Sequence, residues 1–197
     1  TFYDTLFRLG GDLPAHIPPL GSGKSALNLR YTTKRKHVLE NDQMTLELGV
    51  AYRHYHAASM CVVLTGPEIN PRHLSMHTTS VAALDAVQSI LRPGTTVGEI
   101  YDMYKSTLEE NGEKDSVLTV CGYTMGAAWP PTWMEQPLIY SGNPLVLEEN
   151  MCFFTHMILN DRETGLSMAV AEQAIITNDV PEIITNLAQQ AELIKIV

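Results

Sequence analysis

The chain has 197 residues, 45% hydrophobic and 18% charged, which is enough to bury the core of one domain and argues against disorder. Its 22 acidic and 13 basic residues leave a net charge of -9 with no Lys/Arg run that could follow phosphates, so nucleic acid is a poor partner. The longest apolar stretch, Met151 to Leu159, is far too short to cross a membrane, and no signal peptide opens the chain. Taken in order, the chain begins at Thr1 in what reads as an amphipathic helix (Phe2, Leu6, Leu9) ended by Gly10-Gly11. Residues 1–197 are expected to form one domain, and without an initiator Met something upstream is expected to have been lost. A loop carrying Pro14, Pro18 and Pro19 leads to an alternating strand from Met44 to Val50, and a further strand runs from about Ser59 to Thr65. Pro71 then opens a helix with an apolar stripe at Leu74, Val81, Leu84, Val87 and Leu91, stopped by Pro93-Gly94. Thr96 and Glu99 form a capping-box pattern before Ile100, Met103, Tyr104 and Leu108, and Gly112 ends that second helix. The rest reads as sheet: Val117 to Cys121, Met151 to Leu159 and Leu166 to Thr177, the last two joined by a turn at Asn160 to Gly165. This order predicts an α+β layer structure with a curved, mostly antiparallel sheet. Cys61, Cys121 and Cys152 stand far apart among strand-like apolar residues, as buried thiols of a reducing, cytoplasmic compartment do.

Three motifs invite a functional reading and are better read plainly. Gly21-Ser22-Gly23-Lys24-Ser25 ends like a phosphate-binding loop, but the motif needs Gly where Pro18 stands, and it follows prolines instead of a strand. His73 and His77 lie four apart at a helix start, without the Glu of a zinc protease between them, and are expected to be surface histidines. In His54-Tyr55-His56, alternation would put both imidazoles on one face, although ordinary polar edge residues have the same pattern.

More informative are the ionisable residues set inside apolar strands. Glu47 sits in Met-Thr-Leu-Glu-Leu-Gly-Val, His156 in Cys-Phe-Phe-Thr-His-Met-Ile-Leu, and Glu172 in Met-Ala-Val-Ala-Glu-Gln-Ala-Ile-Ile. Burying an unpartnered carboxylate is costly, so a chain that does this repeatedly is expected to bring the groups together in a site where they pair and shift one another's proton affinity. The plain alternative is a half-exposed sheet with these residues facing solvent.

From about Pro18 to about Thr185 the order of segments resembles the creatinase, prolidase and methionine-aminopeptidase superfamily, whose shared domain is the pita-bread fold. That frame has an Asp-x-Gly strand and a second Asp eleven residues on, then two helices with Arg-Pro-Gly between them. A Gly-His-x-x-Gly loop, a Glu-Pro strand and a last strand bearing Glu complete it. Here Glu47-Leu48-Gly49 stands at the first Asp, Ala58 at the second, Tyr123 of Gly122-Tyr123-Thr124-Met125-Gly126 at the His, His156 at the first Glu and Glu172 at the last. Arg30, before Tyr31, stands where many members carry a further His.

Those departures carry the chemical expectation. A two-metal site needs several carboxylates to bridge ions about 3.5–4 Å apart, and Ala58 and Tyr123 supply none, so no metal or other cofactor is expected. The strings Tyr31-Thr32-Thr33, Ala128-Trp129-Pro130-Pro131-Thr132-Trp133, Tyr140-Ser141-Gly142-Asn143-Pro144 and Phe153-Phe154-Thr155-His156-Met157 are most similar to the metal-independent branch that includes ectoine hydrolase and is labelled Xaa-Pro peptidase. The resemblance implies hydrolysis of a C–N bond in a small polar solute, with Glu47, Tyr123, His156 and Glu172 as catalytic groups. Arg30, Tyr31, His56, Trp129 and Trp133 would contact the small-molecule substrate, the tryptophans by stacking on a cation. It also implies a homodimer, and that residues 1–197 are the C-terminal part of a longer chain, lacking its N-terminal domain and first helix. The alternatives are an Xaa-Pro-type metallopeptidase with a reduced site, one ion held by Glu47, His156 and Glu172, or a pita-bread module that only binds.

Overall fold

The computed structural model describes residues 1–32, 36–185 and 194–196, so Thr33 of the Tyr31-Thr32-Thr33 string lies outside the described residues. The chain runs α1 (Phe2–Arg8), β1 (Leu20–Ser22), a 3-10 turn (Gly23–Leu27), β2 (Gln43–Tyr52), β3 (Tyr55–Thr65), α2 (Pro71–Ser89) and α3 (Val97–Glu110). After a 3-10 turn at Lys114–Ser116 come β4 (Gly122–Thr124), β5 (Glu135–Leu138), β6 (Cys152–Asp161), β7 (Leu166–Ile175), β8 (Glu182–Ile183) and β9 (Ile194–Ile196). One sheet in the order β1-β2-β3-β7-β6-β4-β5 carries them, with β8 on β7 and β9 parallel to β3; every other pairing is antiparallel. The expected α+β class is the observed one. No helix among the described residues is long and apolar enough to cross a membrane.

Both long helices start where Pro71 and the Thr96–Glu99 pattern place them, and Asn70 adds a cap that the sequence reading did not name. Asn70 accepts a hydrogen bond from the Arg72 amide while Pro71 fills the first helical position, and Thr96 and Glu99 form a reciprocal capping box. The buried face of α2 is His73, Met76, Thr79, Ser80, Ala83, Leu84 and Val87. Leu74, assigned to the stripe from sequence, is 49% exposed, because the true face is rotated by one residue from the Leu74–Val81 line. In α1 likewise only Leu6 is buried, and Leu9 is open to solvent. Each large apolar side chain sealed between α2, α3 and the sheet contributes on the order of 1.5–3 kcal/mol.

The strand expected at Val117 to Cys121 is absent. Its middle is held by α3 instead: the Leu118 amide donates to the Tyr104 hydroxyl and the Leu118 carbonyl accepts from the Tyr101 hydroxyl, while only Cys121 at its end bonds to the backbone of Ile139 and His156. By contrast β6 and β7 are buried over almost their whole length, as central strands covered on both faces are.

At the middle of the sheet the ladder between β3 and β7 narrows to the single pair Met60↔Ala171. Side chains close the seam around it. Gln173 accepts from the Ala58 amide and donates to the His56 carbonyl and the Cys152 sulfur, and the Ser59 hydroxyl donates to the Ala171 carbonyl.

Candidate active site

Strand register decides which polar residues can meet. Glu47 pairs with Met60, Met60 with Ala171, and Ala171 with His156, so Glu47 and His156 share one face of the sheet. Tyr123 pairs with Phe154, two residues before His156, and joins the same face. Glu172 does not. Its neighbour Ala171 holds the position facing His156, while Glu172 opposes Thr155 on the other side, fully buried, and accepts from the Gln88 side chain of α2 at 2.6 Å. The expected trio of Glu47, His156 and Glu172 is therefore not assembled, since a shift of one residue along a strand exchanges its faces.

What the structure does assemble is a short donor chain ending on Glu47. Trp133 Nε1 donates to the Tyr123 hydroxyl at 3.1 Å, and that hydroxyl donates to Glu47 Oε1 at 3.1 Å. The benzo edge of the indole packs against β2 because residue 49 is glycine: a Cβ there would meet the Trp133 ring at 2.7 Å. Burial pushes the Glu47 carboxyl above its usual range, and the bond from Tyr123, the Arg30 charge and Trp133 pull it back. Burial and the Glu47 charge together hold the Tyr123 phenol well above its usual range, so it remains a donor. The His156 imidazole, 5.9 Å from the Tyr123 ring between centroids, is held by burial at about 4 and is neutral at physiological pH. Its Nδ1 is buried and has no hydrogen-bond partner among the described residues.

Of the expected substrate contacts, Arg30 and Trp133 are in place. Asn28 caps a tight turn, taking the Arg30 amide on its side chain, and the exposed Arg30 guanidinium reaches Met134 Sδ at 2.7 Å near enough to Glu47 to act on its charge. Tyr31 instead lies under Lys36, 5.9 Å from ring centroid to ammonium. His56, buried, has both ring nitrogens engaged: Nε2 accepts from the Ala15 amide and Nδ1 faces the His54 carbonyl, so it fastens the N-terminal loop and is not a free edge residue. Trp129 is 60% exposed and stacks on His54 across the β2–β3 turn. His73, expected on the surface, is buried against the Gln43 side chain. Two residues of this face escaped notice in the sequence. Thr45, two before Glu47, lines a small cavity with it, and Gln173 closes the seam. Larger clefts of about 400 and 350 Å³ lie elsewhere, around Asp42 and His73 and around Gln88 and Arg92.

The donor set does not fit a metal pair. Ala58, Tyr123 and Ala171 occupy the same face as Glu47 and His156 and offer no carboxylate or imidazole, and the described residues contain no group of three His, Cys, Asp or Glu able to hold an ion. The single-ion set is broken by Glu172 facing α2.

The model of metallopeptidase family M24 matches residues 2–178. Ectoine hydrolase of Halomonas elongata is 26% identical over 185 residues, covering 92% of this chain and 45% of that protein. Xaa-Pro dipeptidase of Lactobacillus delbrueckii subsp. lactis is 26% identical over 132 residues, 67% of this chain and 34% of its own length. The chain thus spans less than half of these curated relatives. The crystal structure of X-Pro aminopeptidase from Thermotoga maritima superposes with a TM-score of 0.87 at 20% identity, over 98% of this chain and 53% of that one. That likeness shows the pita-bread fold.

Proposed function

The chain belongs to metallopeptidase family M24, and within that family we propose that it serves a hydrolase that cleaves a C–N bond of a small polar solute without a metal ion. The observation that carries this reading is Glu47, a desolvated carboxylate on the sheet face it shares with Tyr123 and His156, where the Trp133–Tyr123 donor chain opposes the effect of burial. In its ionised form Glu47 takes a proton from water as the oxygen attacks the carbon, then returns it to the nitrogen as the C–N bond breaks. His156, neutral, accepts or donates one hydrogen bond to the solute, and Arg30 at the rim pairs with a carboxylate on it. The similarity to ectoine hydrolase supports the choice of solute class: a cyclic amidine or guanidine bearing a carboxylate.

The test is a screen of cyclic amidines, guanidines and Xaa-Pro dipeptides with the full-length protein in chelator, beside elemental analysis. We expect turnover of an amidine or guanidine with less than one metal per chain, reduced roughly 100-fold or more in Glu47→Gln. Two ions per chain and activity abolished by chelator would establish a metallopeptidase instead. Ala58 and Ala171 favour a second reading, a module that only binds; binding of a solute with no turnover, unchanged in Glu47→Gln, would establish that one.

A further inference from the structure

We infer that the small cavity shared by Thr45 and Glu47 is the seat of the attacking water, and that Thr45 is the residue that aims it. The inference rests on the hydrolase reading above and adds a position for the nucleophile. The cavity is about 10 Å³, bounded by Pro19, Gly21, Asn28, Leu29, Thr45, Glu47 and Met60, which is room for about one water. Thr45 is only 6% exposed, and its Oγ1 has no hydrogen-bond partner among the described residues.

A buried hydroxyl without a partner costs on the order of 1–3 kcal/mol, and valine would serve this strand position with no such cost. The hydroxyl is compensated when the cavity is wet. Thr45 and Glu47 are two apart on β2 and so project from one face, and both line the cavity, where one water is placed to bond to each. Glu47 Oε1 is taken by Tyr123, which leaves Oε2 to receive the proton. Gly21 keeps the far wall thin: any side chain there would collide with the Ser25 carbonyl. The step balances as ordinary hydrolysis. The water oxygen bonds to the substrate carbon, its proton passes to Glu47, and the same proton leaves with the nitrogen.

Two variants and one structure test it. Thr45→Val keeps the shape and removes the hydroxyl, and Thr45→Ser keeps the hydroxyl. We expect kcat to fall about 10-fold or more in Thr45→Val with KM within about 2-fold, and Thr45→Ser to recover most of it. A high-resolution crystal structure should show a water within hydrogen-bond distance of both Thr45 Oγ1 and Glu47 in the wild type, missing in Thr45→Val. A dry cavity in the wild-type crystal overturns the inference even if the enzyme turns over. A water that is present while Thr45→Val keeps wild-type kcat overturns it as well, leaving that water structural. If the wild type turns over nothing in the screen, the hydrolase reading fails first and takes this one with it, a result distinct from the other two.

Discussion

Replacing Tyr123 by Phe removes one oxygen and breaks both links of the donor chain at once. The bond from Tyr123 to the Glu47 carboxylate is of the charge-assisted kind, worth about 1.5–3 kcal/mol, and the buried Trp133 N–H left behind costs about 1–3 kcal/mol. Allowing for overlap, Tyr123→Phe should cost about 2–4 kcal/mol near pH 8, a fall in Tm of roughly 5–15 °C for a domain of this size. The loss should depend on pH. Glu47 has a folded pKa above its unfolded value, so its contribution to stability is fully present below the usual carboxyl range and is lost as pH rises through the folded pKa. Without the phenol that pKa moves higher still, so the variant should lose more stability at pH 8 than at pH 4, and the acid limb of kcat/KM should move to higher pH. Thermal unfolding at the two pH values and a pH–rate profile measure both effects. The double variant Tyr123→Phe, Trp133→Phe removes donor and acceptor together and should cost clearly less than the sum of the single changes. An unchanged acid limb, or strict additivity, would refute the donor chain as the device that opposes burial at Glu47.

Three further outcomes are expected. Gly49→Ala places a methyl 2.7 Å from the Trp133 ring and should destabilise by about 1–3 kcal/mol, with a shifted Trp fluorescence maximum as the indole is displaced. His156, at about 4 when folded, confers stability that is present above its unfolded value near 6.5 and lost as pH falls toward 4, on the order of 3 kcal/mol; urea titrations at pH 7.5 and 4 should show this loss in the wild type and not in His156→Gln. Arg72 forms ion pairs with the buried Glu113 and with Asp161, so Arg72→Leu leaves an unpaired carboxylate under α2 and should cost about 1–3 kcal/mol by urea denaturation, the exposed side of the guanidinium limiting the effect.

Local chemistry was legible in the sequence wherever a single segment carries its own reason. Pro71 and the Thr96–Glu99 capping box fixed where α2 and α3 begin, and the continuous apolar runs located β6 and β7 nearly to their ends. Glu47 and His156 stood out as ionisable groups in apolar strands, and they do share a face. What stayed hidden depends on partners distant in the chain. The face of Glu172 is set by its register with β6, which no pattern within β7 reveals. The roles of His56 and His73 are set by Ala15 and Gln43, 41 and 30 residues away. Thr45 was invisible for the opposite reason, because threonine in an alternating strand is ordinary until its hydroxyl is found without a partner.

The narrow seam between β3 and β7 divides the candidate catalytic groups between two leaves of the sheet. Glu47 and Thr45 belong to the leaf of β1, β2 and β3, and His156 and Tyr123 to the leaf of β7, β6 and β4, so the Tyr123–Glu47 hydrogen bond is a clasp across the spine. With one backbone rung at Met60–Ala171, the distance between carboxylate and imidazole is governed by how far the leaves open, and Gln173 and Ser59 act as the stitching. Loosening that stitching alters the spacing of carboxylate and imidazole without touching either of them, which makes the spine of the sheet the place where distant substitutions would reach the candidate site.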